Sequence, residues 1–396
     1  MSYINLALLN AEVVNYLKDN ASLSAANIVL KGSPFKNITA QELAQQHTGL
    51  LKSKDKLPLW YNTEGILFPP KVNIEQTSSS KTARYKASLI SGKTIIDITG
   101  GLGIDDYYFS KVFDTVTHCE LNESLSALAA HNSNVLGAHN ITYKVGDGIS
   151  ILKQESTKFD WIYSDPSRRD DTGGKVFKLS DCEPNIPKHL DVLLEKGKRI
   201  LLKTSPLLDI TAGLRELKFV SEIHIVAINN DVKELLWIID QEHSSPTEII
   251  TVNFKADYKE EFKAKLTYES LARVNYSKAL SYLYEPNSAL MKSGLFNTIS
   301  EQYALFKLHQ NSHLYTSERL IGFSGRRFKI LETLPFHKKS LKRVFKNTKA
   351  NITTRNFPLT VSQLKSALQI KDGGTTYLFF TTQNQSDKVV LVCEKI

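Results

Sequence analysis

From Thr94 onward the chain is punctuated by short apolar runs, each too short for a helix and each closed by turn residues. This spacing constrains the fold more than any other feature. The runs are TIIDI (94–98), VTHCEL (116–121), ITYKV (141–145), FDWIYSD (159–165), RILLKT (199–204), EIHIVAI (222–228) and ELLWIID (234–240). Apolar runs of this length suit strands buried on both faces. Stretches of helical character separate the first five, such as ESLSALAAHNSNVLG (123–137). Those five are therefore expected to lie parallel in one α/β sheet with helices on its faces. The last two runs are too close for a crossover helix and are expected to pair antiparallel.

The flanks have a different texture. In residues 1–88, Ala7, Leu8, Ala11, Val14 and Leu17 recur at helical steps, which predicts a helical N-terminal region. The polar stretch from Ile66 to Ser80, with Pro69 and Pro70, is expected to be irregular, and TARYKASLI (82–90) to be a short helix. After about residue 246, the stretch 276–308 suggests a compact strand-and-helix unit. Residues 321–396 read as short strands with a helix or two, ending in YLFFTT (377–382) and KVVLVCEKI (388–396). At 396 residues, two to four domains are expected. The divisions are 1–88, 89–245, 246–322 (a linker and a small unit) and 323–396.

The formal net charge of +9 is unevenly placed. From 246 to the end, 23 Lys and Arg face 12 Asp and Glu, which leaves +11 there and −2 for residues 1–245. Residues 324–355 hold ten Lys or Arg with Glu332 the only acid, and Phe328, Phe336 and Phe345 lie among them, with Tyr315 nearby. Cations interleaved with aromatics suit phosphate contacts and base stacking, so an RNA partner is expected. Arg326, Arg327, Lys338 and Lys339 are candidates to touch it. In KKSLKRVFKN, Leu341, Val344 and Phe345 are expected to face the core. No run of eighteen or more apolar residues reads as a membrane span, and the N-terminus does not read as a signal peptide. Cys119, Cys182 and Cys393 lie far apart with no metal-ligand spacing. No metal is expected, and a reduced cytoplasmic setting fits.

The chemistry is concentrated in IIDITGGLGID (95–105), a strand ending at Asp97 that leads through Thr99, Gly100, Gly101 and Gly103 into a helix start. Such a loop lets backbone pass under a ligand, and the helix start offers unpaired N–H groups. A nicotinamide-binding fingerprint needs a third glycine, and Asp106 stands there. Glu120 closes the second strand, where a carboxylate can accept both ribose hydroxyls of either a nucleotide or S-adenosylmethionine. Asp147, after the third strand, is placed to take an adenine amine. Asp165 and Pro166 close the fourth strand, beside the point where an open α/β sheet binds its ligand.

These residues resemble the class I S-adenosylmethionine-dependent methyltransferases. Asp97 to Gly103 are similar to the first motif, Glu120 to the second, Asp147 to the third and Asp165-Pro166 to the fourth. The resemblance implies a Rossmann-like seven-stranded sheet over roughly 90–242 and S-adenosylmethionine as cofactor. The chain also resembles a narrower bacterial family with an N-terminal helical region, a small ferredoxin-like unit and a C-terminal THUMP-like domain. SSSKTARYKASL, DITGGLGID, SDPSRRD, LLKTSPLLDI, YEPNSALMKSGL and the basic tail carry that likeness. THUMP domains are RNA-binding modules of tRNA-modifying enzymes, so an RNA substrate (tRNA or rRNA) is implied.

The fourth motif narrows the reaction. Base-amine methyltransferases show two prolines and an aromatic after the acid, whereas this chain reads Asp165-Pro166-Ser167-Arg168-Arg169. The run looks closer to that of the uracil-5 enzymes, but their cysteine nucleophile after the fifth strand is replaced by Lys203-Thr204-Ser205-Pro206. Cys182 reads as structural. Covalent carbon methylation is thus disfavoured, which leaves direct in-line transfer to a ring or exocyclic nitrogen, with Asp165 orienting the acceptor. Arg168 and Arg169 either hold a substrate phosphate or pair with Asp170 and Asp171. Lys203 and Asp209 are candidates to line the same cleft. The alternatives are a methyltransferase acting on a protein or small molecule, and a non-catalytic RNA-binding protein. His118 and His131 match no ligand spacing and read as ordinary residues.

Overall fold

The computed structural model describes residues 4–168 and 178–396, with Arg168 described by its backbone alone. Two compact units divide the chain. The first is Met1–Val220 with Trp237–His243, and the second is Ser221–Leu236 with Ser244–Ile396.

The first unit begins with the helices Ala11–Asp19, Ala25–Lys31, Ala40–Lys56, Pro58–Asn62, Lys71–Gln76 and Ser80–Leu89. The longest starts in a capping box, in which Thr39 Oγ1 accepts the Glu42 N–H at 3.1 Å and Glu42 Oε2 accepts the Thr39 N–H at 2.8 Å. The expected first apolar face needs correction. Leu6–Leu9 is a separate short turn, so the count from Ala7 does not run through Asn10. The helix restarts at Ala11 and buries Val13 and Leu17, one turn apart, while Ala11 is exposed. The proline-bearing stretch is also more ordered than expected, because a helix runs from Lys71 to Gln76 immediately after Pro70. Just before it, Ile66, Leu67 and Phe68 are buried. Two side-chain amides supply a substitute ladder there. Gln46 bonds the Ile66 carbonyl (2.7 Å) and the Phe68 N–H (2.9 Å), and Asn132 bonds both groups of Leu67 (2.8 and 3.0 Å). Buried backbone must find such partners when no strand lies beside it.

The strands that follow are β1 (Gly92–Asp97), β2 (Phe113–Glu120), β3 (Ile141–Val145), β4 (Phe159–Ser164), the short β5 (Ser167–Arg168) and β6 (Cys182–Glu183), β7 (Gly197–Thr204), β8 (Val220–Ile228), β9 (Asp231–Asp240), β10 (Glu248–Phe254) and β11 (Lys259–Lys265). All seven expected strands are present. β1 pairs parallel with β2 and β4, β2 with β3, and β4 with β7. In the first unit the sheet order is β9-β7-β4-β1-β2-β3, and in the second β11-β10-β8-β9, with β9 divided between the two units. Two further strands, β10 and β11, thus lie in a stretch that the sequence presented as a linker. β5 and β6 form a separate two-residue ladder. Register sets Asp97 opposite both His118 and Tyr163, so the carboxyl ends of β1, β2 and β4 are level. Strand order reverses at β1, and an open sheet leaves its crevice there.

Besides β8, β10, β11 and most of β9, the second unit holds β12 (Tyr282–Pro286), β13 (Phe306–Lys307), β14 (Tyr315–Ser317), β15 (Gly325–Pro335), β16 (Asn351–Arg355), β17 (Thr376–Gln383) and β18 (Asp387–Lys395), and these last seven form a sheet of their own. Their order is β13-β14-β12-β15-β18-β17-β16, with β16 and β17 parallel. Leu341 and Phe345, from the helix Lys338–Phe345, pack with Leu364, Leu368 and Phe380 on one side. Val344 is 57% exposed and does not join them. Leu341 and Phe345 are one turn apart and define the buried stripe, and Val344 falls outside it on this short helix. No helix among the described residues is long and apolar enough to cross a membrane.

Candidate functional site

The loop after β1 is tied to its neighbours by a continuous set of hydrogen bonds. Asp97 Oδ1 accepts from the Thr99 N–H (2.7 Å) and the Thr99 hydroxyl (2.9 Å), and that hydroxyl oxygen accepts the Asp165 N–H at 2.7 Å. Gly101 donates its N–H to Glu120 Oε2 at 2.9 Å, and Asn122 donates to Glu120 Oε1 at 2.8 Å. The Glu120 carbonyl accepts the Gly146 N–H at 3.0 Å, which carries the set to the turn holding Asp147. The structure therefore brings Asp97, Thr99, Gly100, Gly101, Gly103, Glu120, Asp147, Asp165 and Pro166 to one end of the sheet.

The glycines serve different ends. Gly101 has φ +56, and the nearest atom to a Cβ there would be the Thr99 carbonyl oxygen at 3.8 Å, so this point of the loop borders open space beside the Glu120 carboxylate. A Cβ on Gly100 would instead sit 2.3 Å from the His118 ring. That ring cannot step aside, since it is fully buried and its Nδ1 lies 2.6 Å from Asp106 Oδ2. Gly100→Ala is expected to cost about 1–3 kcal/mol and to lower the thermal midpoint. A melt indistinguishable from wild type would contradict this packing.

Beneath the loop, burial pushes the Asp97 carboxyl well above its ordinary value, and the neighbouring Asp106 adds to the shift. Burial, with Asp105 nearby, does the same to Asp106. Burial also lowers the His118 imidazole below its usual value. Burial thus disfavours the charged form of all three, and the short hydrogen bond between His118 and Asp106 forms a brace beneath the loop. Asp97, 2% exposed, therefore acts on the loop through Thr99. His118, which carried no ligand signal in the sequence, is a buried part of this brace.

The remaining acids are placed differently. Asp147 caps the helix Gly148–Gln154, accepting the Ser150 N–H at 2.8 Å and the Ser150 hydroxyl at 2.6 Å. Partial burial raises its carboxyl, but these bonds outweigh burial and leave it below its ordinary value. Asp165 pairs through Oδ2 with the Lys203 ammonium. Asp209 caps the helix Ile210–Glu216 by accepting the Ala212 N–H at 2.8 Å. Cys182 is buried, forms no disulfide, and donates its thiol to the Lys178 carbonyl at 3.6 Å. The Arg168 backbone lies in β5 opposite Cys182, while Arg169, Asp170 and Asp171 lie outside the described residues.

Sequence reasoning missed Lys86. It is fully buried on the helix Ser80–Leu89, with Nζ 3.2 Å from Asp105 Oδ1 and 2.9 Å from Ser78 Oγ. Asp105 Oδ2 also accepts the Ser78 and Tyr163 hydroxyls, each at 2.9 Å. Burial would raise the Asp105 carboxyl, but Lys86, then Lys203 and the two hydroxyls, pull it below its ordinary value. A lysine in a short amphipathic run reads as a solvent-facing residue, so no signal in the sequence could have found this pair.

In the second unit, Arg326 and Arg327 lie side by side on β15, and Lys338 and Lys339 are exposed at the start of the helix Lys338–Phe345. Arg326 pairs with Glu285.

Three family models match successive stretches of the chain. A model described as RNA cap guanine-N2 methyltransferase matches residues 92–178, one described as a ferredoxin-like domain matches 282–323, and one described as THUMP domain-like matches 325–395. Among solved structures, a protein of Porphyromonas gingivalis W83 assigned as a methyltransferase is 31% identical over 100% of both chains, with a TM-score of 0.88. A methyltransferase from Geobacter sulfurreducens is 16% identical over 41% of this chain and 78% of its own, with a TM-score of 0.31. An rRNA methylase from Streptococcus thermophilus is 12% identical over 40% of this chain and 93% of its own, with a TM-score of 0.30. No curated protein matches the sequence.

Proposed function

Because the chain belongs to the bacterial family of methyltransferases with C-terminal ferredoxin-like and THUMP-like domains, we propose that it transfers a methyl group from S-adenosylmethionine to a base nitrogen of RNA (tRNA or rRNA). The observation that carries this reading is the hydrogen-bonded set that holds Gly101, Glu120 and Asp165 together at the carboxyl end of the sheet. These residues fit the cofactor, since Gly101 borders open space and the Glu120 carboxylate lies beside it with acceptor capacity left for ribose hydroxyls. Glu120 would hold the ribose, Asp147 the adenine amine, and the loop from Thr99 to Gly103 the remainder. When bound, the cofactor supplies an already activated methyl group.

The protein's own task is then alignment and exclusion of water. Lys203 orients the Asp165 carboxylate by pairing with one oxygen. The other oxygen, which has no hydrogen-bond partner among the described residues, would accept an N–H of the acceptor base, turning its lone pair toward the donor and drawing off charge as the bond forms. The match to a guanine-N2 methyltransferase model favours an exocyclic amine as the acceptor. The THUMP domain-like match falls on β15 to β18, the region where the cations gather, and this supports RNA as the partner.

Glu120→Ala is expected to weaken S-adenosylmethionine binding by on the order of tenfold to a hundredfold, as read by calorimetric titration. Wild-type affinity in that variant would overturn the placement of the cofactor.

A further inference from the structure

The second unit holds a cavity of about 550 Å³, within the size range of small-molecule sites. Its wall includes Lys255, Arg326, Arg327, Arg355 and Lys395 against two carboxylates, Glu260 and Glu285. Both acids are engaged by the protein. Glu260 Oε2 accepts from Asn253 (2.7 Å) and Asn287 (2.8 Å). Glu285, 3% exposed, takes Arg326 Nε on Oε2 at 2.6 Å and Arg355 Nη2 on Oε1 at 2.7 Å. One buried carboxylate thus fixes two guanidinium forks at the wall, and each arginine keeps further donors. Arg355 ends β16, four strands from β12 in the sheet order. Four strand spacings in a flat sheet amount to about 19 Å, so the sheet is rolled enough to bring Arg355 against Glu285.

Two more observations point to a ligand. Among the described residues Arg327 has no carboxylate partner, and Ser288, a residue of the same wall, has a buried Oγ without a hydrogen-bond partner. A buried hydroxyl left unsatisfied is uncommon unless something else completes it. Tyr258, also in the wall, is 63% exposed and offers a ring face for stacking.

We propose that this cavity binds the terminal phosphate monoester of a nucleotide, with Arg326, Arg327 and Arg355 around the phosphate and Ser288 donating to it. A phosphodiester inside a strand carries one charge and is flanked by two sugars, which calls for an open groove. A monoester carries close to two charges and three terminal oxygens, which suits three guanidinium groups in a cavity of one-nucleotide size. A 5′-phosphorylated RNA end or a free nucleotide presents the same chemistry. The RNA source rests on the reading given under Proposed function; the assignment of the cavity does not.

The test is a titration of the full chain at near-physiological salt. It compares a short single-stranded RNA bearing a 5′-phosphate with the same RNA bearing a 5′-hydroxyl, and adenosine monophosphate with adenosine. The phosphorylated member is expected to bind on the order of tenfold tighter or more. Arg327→Gln should remove most of that preference without changing thermal unfolding, and Ser288→Ala should reduce it. A preference confined to RNA assigns the source to a strand end. A preference seen with the mononucleotide alone keeps the cavity assignment and removes RNA as its source. Equal binding within both pairs, or a preference untouched by Arg327→Gln, overturns the proposal.

Discussion

Asp165→Ala is expected to slow methyl transfer to RNA by about 10²- to 10⁴-fold while cofactor affinity stays close to wild type. The separation follows from how the residue is held. Its backbone N–H is bonded to Thr99, so the turn after β4 keeps its shape when the side chain is shortened. The carboxylate that faces Lys203 disappears, and with it the group assigned to orient the acceptor. Asp165→Asn divides the effect further, because it keeps a hydrogen-bonding carbonyl but not the charge. Its rate should fall between those of wild type and the alanine variant. Single-turnover rates with saturating cofactor measure this directly, and an Asp165→Ala enzyme that turns over at the wild-type rate would show that the residue has no part in the chemistry.

Lys86→Met is expected to destabilise the protein by about 3–5 kcal/mol at neutral pH, a fall of roughly 10 °C in the unfolding midpoint. The methionine fills similar space, so the cost comes from the charge left behind. In the wild type, Asp105 lies below its ordinary value because Lys86, Lys203 and two hydroxyls outweigh burial. The lowered carboxyl adds stability that is present above its unfolded-state value and is lost as pH falls through the folded value. Without Lys86, burial becomes the dominant influence and raises the same carboxyl, so the native state takes up a proton as pH falls. The deficit should therefore be largest near pH 7.5 and shrink toward about pH 5. Lys86→Met with Asp105→Asn should recover much of the loss. Urea unfolding at both pH values decides the matter, and a deficit independent of pH would mean that volume, not charge, sets the cost.

These two cases also show what the amino-acid order reveals and what it hides. β1, β4 and β7 were legible because central parallel strands are covered on both faces and read as continuous apolar runs. The glycine loop was legible because it joins such a strand to a helix start. β11 was not, since Lys259–Lys265 reads KEEFKAK, the charged pattern of an edge strand, which resembles a solvated linker; β10, EIITVNF, does carry an apolar strand pattern, and it was its placement beyond the expected last strand that hid it. The site was legible where its residues end strands, as Glu120 and Asp165 do. It was not where burial alone defines the role. Lys86 meets Asp105, and Asp106 meets His118, only after the helices dock. The cavity of the second unit was hidden in the same way, because Glu285 gathers Arg326 and Arg355 from separate strands of a rolled sheet.

The central claim is that the acceptor is RNA. Its most direct test is the transfer of labelled methyl from S-adenosylmethionine to total RNA from a bacterial strain that lacks this gene, with wild-type and Asp165→Ala protein side by side. The account predicts label in RNA with the wild type and almost none with the variant, and nucleoside analysis of that RNA should show a base methylated on nitrogen. Measurable cofactor binding with no label in any RNA would contradict it and make a protein or small molecule the acceptor to seek.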